Sequence, residues 1–391
     1  MRFRHTDGST IHLAYCTNVH AAEDLTGVLS QLETFAEPVR ELLGVDRLGL
    51  GLWLARDVAS ELASDDASVA RLRAELALRG LEVVTLNGFP YRGFHAPVVK
   101  HAVYHPDWAE QERLRYTADL ARILVRLLPD DVDRGSISTL PLAWREPWPA
   151  DRRDAARRHL DDLAAELAKT AAVEGRIVRV GFEPEPGCVV ETTGEAVAHL
   201  SDVDTDWLGV CLDICHLAVA FEDPEEALNR LAAARLPVVK TQVSCALQAD
   251  DAADPSTREA LGSFVEPRFL HQTRQARSRR LHGTDDLGEA LSGAGGLTGE
   301  EPWRVHFHVP LHDDAVPPLS TTRPVVVDAL RALVGGPESL TDHLEVETYT
   351  WQVLPEAQRP RDVRGLVEGL AAELEWTRRE LLALGLEEIT R

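Results

Sequence analysis

Short runs rich in Val, Ile and Leu alternate, along most of this chain, with longer stretches in which apolar residues recur every three or four positions. That rhythm restricts the fold more than any other feature, because it marks repeated βα units, each burying a parallel strand beneath a helix. The first unit pairs "TIHLAYCTNVH" with a stripe of Leu25, Val28, Leu29, Leu32, Phe35, Val39 and Leu42, capped by Asp24. "RLGLGLWLA" and the Val69, Leu72, Leu76 stripe make the second. "LEVVTLNGF" leads to a third helix, opening near Pro106 and Asp107 and carrying Leu120, Ile123, Leu124 and Leu127. "SISTLPL", "IVRVGFEPEPG" and "LGVCLDICHL", each followed by an amphipathic helix, supply units four to six. "PVVKTQVSCAL" is strand seven, and "HLEVETYTW" with a helix from about Pro360 to Leu384 completes the eighth.

Between strand seven and the helix of "RPVVVDALRALV" lie roughly 80 residues, far beyond the usual connection in an α/β unit. This insertion, at about residues 245–320, contains the Gly-rich turn "LSGAGGLTGEEP" and one strand-like run, "WRVHFHVPLH". Counting that run would give nine strands, so it is assigned to a loop folded over the mouth of a closed eight-stranded barrel. The expectation is one α/β domain over residues 1–391, a (β/α)8 barrel with a lid. "FRHTDGSTIHLA", turning at Asp7-Gly8, is expected as a hairpin on the barrel floor. A doubly wound open sheet is the competing architecture, but no Gly-rich phosphate fingerprint follows any strand.

With 41 basic against 64 acidic side chains, the formal charge of −23 disfavours nucleic acid and anionic membranes as partners. "MRFRHTDGST" has no apolar signal core, and nowhere do about 18 uninterrupted apolar residues occur, so a cytoplasmic protein without membrane insertion is expected. Cys16, Cys188, Cys211, Cys215 and Cys245 are scattered and lack C-x-x-C spacing, which suits reduced thiols rather than a disulfide framework.

In a barrel, reactive groups belong at the C-terminal ends of strands. Those ends here carry Asn18 and His20, Asn87, Glu183 and Glu185, Asp213 and His216, Gln242, and Glu347. Asn18, His20 and Asn87 are candidate substrate contacts, although turn and cap roles would place the same residues there. Glu185, between two prolines, fits a substrate contact or a solvated loop acid. Glu183, Asp213 and Glu347 end runs too apolar for the surface, and a buried unpaired carboxylate is costly. A shared divalent cation, Mg²⁺, Mn²⁺, Co²⁺ or Zn²⁺, would relieve all three together. In "HFHVPLH", alternation puts His306 and His308 on one face, as substrate contacts or supplementary ligands.

The order of these groups, a Glu ending strand five, Asp-x-x-His ending strand six and a Glu ending strand eight, resembles the xylose isomerase-like TIM barrel superfamily of sugar isomerases, epimerases and related endonucleases. More closely, "YCTNVH", "TLNGFPY", "VKHAVYHPDW", "FEPEPGC", "CLDICHLAVAFE", "KTQVS", "HFHVPL" and "ETYTW" resemble the EboE group of bacterial metabolite traffic proteins, from about Tyr15 to Leu354. The resemblance implies one divalent metal held by Glu183, Asp213, Gln242 and Glu347, with His216 on a substrate hydroxyl. The epimerases usually present His where this chain has Gln242, and the basic residue that follows is absent from "SCALQAD". It further implies a metal-dependent sugar or polyol isomerase or epimerase, in which Glu183 and Glu347 move a proton at a carbon next to a carbonyl. Other proteins of a metabolite-traffic pathway are implied as possible contacts. A non-catalytic carrier of a small metabolite on the same barrel is the alternative. A phosphodiesterase acting on abasic DNA would need more ligands and a basic groove, which −23 opposes.

Overall fold

The computed structural model describes residues 1–278 and 280–390. The eight apolar runs become parallel strands: β1 (Thr10–Cys16), β2 (Leu48–Trp53), β3 (Leu81–Asn87), β4 (Arg134–Thr139), β5 (Ile177–Phe182), β6 (Leu208–Asp213), β7 (Val238–Val243) and β8 (His343–Val346). Each pairs with its successor, and β8 pairs back onto β1 from His343↔His12 to Val346↔Tyr15, which closes the barrel. Closure explains the near-continuous apolar runs: β2, β3, β6, β7 and β8 are buried along their whole length, between a filled interior and an outer helical layer. The helix over Thr193–Leu200 starts on a capping box, in which Thr192 Oγ1 accepts from Glu195 N and the Glu195 carboxylate accepts from Thr192 N.

Two helices depart from the expected pattern. Asp24 caps the first as predicted, but a π turn over Leu32–Ala36 inserts an extra residue per turn and rotates the buried face. Val39 stays inside while Leu42 is 58% exposed. The third helix begins at Gln111 rather than near Pro106, because Asp107 is occupied in a turn, accepting from Ala109 N and pairing with Arg152.

The N-terminal hairpin forms, with Arg2–Arg4 antiparallel to the start of β1 and also paired with Glu387–Glu388. It packs against the N-terminal end of the barrel, where Arg2 Nη2 meets Glu82 Oε2 of β3 at 2.7 Å. The insertion is more ordered than one strand and a Gly-rich turn. Cys245–Ala249, Thr273–Arg277, Arg280–Thr284, Trp303–Val309 and Leu319–Thr321 make a separate five-stranded sheet, with Trp303–Val309 between Thr273–Arg277 and Cys245–Ala249. Its pairing with Cys245–Ala249 shifts register between Val305 and His308. Such an irregularity re-aims side chains, here at the segment bearing both histidines. Among the described residues no helix is long and apolar enough to cross a membrane. All five cysteines are free and buried.

Candidate functional site

A cavity of about 510 Å³ opens at the C-terminal mouth of the barrel, and the strand-end residues converge on it. Asn18, Asn87, Glu183, Glu185, His216, His306, His308 and Glu347 all line it. His20 does not. The 3-10 turn Thr17–Val19 after β1 sends Asn18 inward and carries His20 away, to stack on Phe35 at 4.0 Å between ring centroids and to meet the Tyr15 hydroxyl at 3.2 Å. A substrate contact for His20 is therefore given up.

At the base, one oxygen each of Glu183, Asp213 and Glu347 lies within 4.8 Å of the others, and all three side chains are buried. No Lys or Arg pairs with any of them among the described residues. Glu183 Oε2 and Asp213 Oδ2 are buried without a hydrogen-bond partner. Gln242, in register with Asp213 across the β6–β7 pairing, is fully buried with both amide atoms unpartnered. A structure that satisfied these groups internally would leave few such orphans. Oxygen donors gathered without a Lys or Arg partner fit a hard or borderline divalent cation, which Glu183, Asp213 and Glu347 could hold together.

Hydrogen bonds fix the surrounding side chains. Asn18 Nδ2 and Asn87 Nδ2 both donate to Glu347 Oε1, at 2.7 and 2.9 Å, so these amides position the acid rather than waiting free for substrate. Asp213 Oδ1 accepts from the Ser244 hydroxyl at 3.0 Å and from His216 N at 2.8 Å, leaving Oδ2 buried and without a partner beneath the cavity lining, of which Asp213 and Gln242 are not part. Glu185 accepts from the Tyr104 hydroxyl at 2.8 Å. An apolar wall of Phe89, Phe94, Val103, Phe269 and Leu270 stands above this polar base.

Burial, with Asp213 and Glu345 nearby, pushes the Glu347 carboxyl up to about 8. Burial, then Glu347, Asp213 and Glu185, holds Glu183 well above the usual carboxylate range. Glu185 is pushed up to about 8, again mainly by burial. A carboxyl raised in the folded state contributes stability below its unfolded value, about 4.5, which is lost as pH climbs through about 8. A divalent cation takes the ionised form and reverses that loss. The rise in melting temperature produced by Mn²⁺ over chelator is therefore expected to grow between pH 7.5 and 8.5, above the ordinary histidine pKa of about 6.5. Thermal unfolding at both pH values checks this, and a gain independent of pH contradicts it.

Sequence reasoning passed over Lys240 and Glu345. Both are fully buried in the barrel interior and form an ion pair one inward-facing layer below Gln242 and Glu347. Gly51 on β2 makes the room, since a Cβ there would lie 1.7 Å from Glu345 Oε1. The alternation V-K-T-Q and E-V-E carried the signal, putting Lys240 on the face of Gln242 and Glu345 on that of Glu347. Tyr104 and Tyr349 were missed because they lie on 3-10 turns, where no strand or helix period points at the mouth.

A family model described as xylose isomerase-like TIM barrel matches residues 40–251. No curated protein matches the sequence. Among solved structures, a xylose isomerase-like TIM barrel protein from Mycobacterium smegmatis, in complex with magnesium, is similar at 15% identity and a TM-score of 0.51, over 95% of this chain and 98% of that one. D-psicose 3-epimerase with D-tagatose, from Clostridium cellulolyticum H10, is similar at 15% identity and a TM-score of 0.50, over 95% of this chain and 99% of that one. At such identity the likeness is one of fold.

Proposed function

Because this chain belongs to the xylose isomerase-like TIM barrel family, we propose that it is a divalent-metal-dependent isomerase or epimerase of a small sugar or polyol, moving a proton at a carbon beside a carbonyl. The observation that carries this reading is the convergence of Glu183, Asp213 and Glu347, buried and without a Lys or Arg partner among the described residues, at the mouth of the barrel. Glu183, Asp213, Gln242 and Glu347 would hold the cation, which when bound supplies Lewis-acid polarisation of the substrate carbonyl. Glu183 and Glu347 are the proton carriers. Both carboxyls are raised above the ordinary glutamate range, Glu347 to about 8, which favours their holding a proton that an unburied glutamate would lose. Asn18 and Asn87 grip Glu347 Oε1, so its other oxygen is the one free to work. His216, Glu185, His306 and His308 line the same cavity and would bind substrate hydroxyls. The apolar wall and the insertion sheet keep bulk water from the reacting carbon.

The EboE-like motifs extend the reading to a metabolite-traffic pathway, with other proteins of that pathway as partners. One observation favours a second reading, a carrier without catalysis: Gln242 stands where an imidazole would hold a borderline metal more firmly. Incubation with candidate ketoses in deuterated water separates the two. The enzyme reading expects deuterium to enter the carbon beside the carbonyl, and the exchange to stop when metal is chelated. Binding of the same ketoses by metal-free protein, with no exchange under any metal, would replace the enzyme by the carrier.

A further inference from the structure

The barrel floor, opposite the mouth, gathers two guanidiniums and one carboxylate around a cavity. Alternation puts Arg134 on the inner face of β4 with Ser136 and Ser138, and Arg179 on that of β5 with Gly181 and Glu183. Ser136 and Arg179 are in register, so the two arginines stand on neighbouring strands at successive heights. β7 and β8 pair with each other only from Thr241 and Leu344 onward, and a cavity of about 550 Å³ lies where their first residues are unpaired. Arg134, Arg179, Val238, Val239, Thr341 and Asp342 line it.

The positive charge there is not cancelled. Arg134 gives both Nε and Nη2 to Asp342 Oδ2, which commits the one carboxylate. Arg179 Nη2 donates to the Thr205 carbonyl at 2.7 Å, but its Nε is buried without a partner, and no acid pairs with it among the described residues. Burial, then Arg134 beside it, lowers the Arg179 guanidinium from its ordinary value, and Asp342 and Asp206 offset this only in part. Thr341 is 5% exposed, and its hydroxyl also lacks a partner. Buried donors left idle around one cavity call for an acceptor that no described side chain supplies.

We propose that Arg179, Arg134 and Thr341 form a seat for a tetrahedral oxyanion, inorganic phosphate or the phosphoryl end of a metabolite. Guanidinium forks suit phosphate oxygens, and charge-assisted bonds of this kind are about twice as strong as neutral ones. The donors come from β4, β5 and the approach to β8, so they meet a ligand from several sides, whereas a planar carboxylate would engage fewer of them. Bulk attraction plays no part, because a chain of formal charge −23 repels anions. The seat lies at the opposite end of the barrel from Glu183, Asp213 and Glu347 and shares no side chain with them, so it stands whether or not the proposed reaction does.

Full-length protein stripped of metal, since a cation at the mouth would itself attract phosphate, is titrated with inorganic phosphate by calorimetry. The wild type is expected to take up one phosphate per chain and saturate. Arg179→Met should weaken binding about tenfold or more, the loss expected for one charge-assisted partner. Thr341→Val removes only the idle hydroxyl, so it should weaken binding several-fold without lowering the melting temperature of the unliganded protein. It decides the matter if Arg179→Met does not fold. Glycerol 3-phosphate identifies the source of the oxyanion: tighter binding than phosphate assigns the seat to a phosphorylated metabolite lying on Val238, Val239 and Leu340, and equal or weaker binding assigns it to the free ion. Uptake that fails to saturate in the wild type, or that neither variant weakens, overturns the proposal and leaves the cavity to solvent.

Discussion

Glu347→Gln is expected to slow solvent-hydrogen exchange into a ketose substrate by about 10²–10⁴-fold, the range for loss of one general acid–base group. Glutamine keeps the length of the side chain, and its carbonyl oxygen can still accept from Asn18 Nδ2 and Asn87 Nδ2. The cavity should therefore keep its shape while losing a group able to take up and release a proton. The substrate contacts proposed for His216 and Glu185 are untouched, so kcat should fall far more than KM changes. Deuterium incorporation followed by proton NMR at saturating substrate and metal gives the measurement. Exchange within tenfold of the wild type would show that the proton is moved elsewhere.

A second large effect is expected for stability. Lys240→Met should destabilise the fold by about 3–5 kcal/mol, because it strands the fully buried Glu345 carboxylate without its ion-pair partner. Restoring neutrality with Lys240→Met/Glu345→Leu should recover most of that loss, since a buried ion pair can often be exchanged for apolar side chains of similar volume. Denaturant unfolding of the two variants and the wild type provides the comparison. A single substitution that left stability within about 1 kcal/mol would mean that the pair is solvated or rearranged.

The barrel was legible because most of its strands, buried on both faces, read as near-continuous apolar runs, and an acid at the end of such a run has nowhere neutral to go. That is how Glu183, Asp213 and Glu347 stood out. The same reasoning misjudged His20, since a strand end does not specify the turn that follows, and a single 3-10 turn separates it from Asn18. Lys240 and Glu345 alternate correctly for the interior, but which strand faces which across a closed ring is not a local property. The insertion was the least legible part. "TRQAR" and "RLHGT" are too polar to announce strands, and only pairing with Trp303–Val309 and with each other makes them so.

The way the insertion is fastened has a consequence for traffic into the cavity. Ser244 alone separates the end of β7 from Cys245, and its hydroxyl is tied to Asp213. At the far end Thr322 is stitched to Ala246 by paired hydrogen bonds, its backbone N donating to the Ala246 carbonyl at 2.9 Å and its hydroxyl accepting from Ala246 N at 2.8 Å. Both gateposts thus stand together just past the end of the seventh strand, and a rigid swing of the sheet would disturb Asp213 through Ser244. The rim is held more lightly at Lys100, which lines the cavity and is latched to Asp286 of the insertion by one partly exposed ion pair, so entry is expected to turn on that contact.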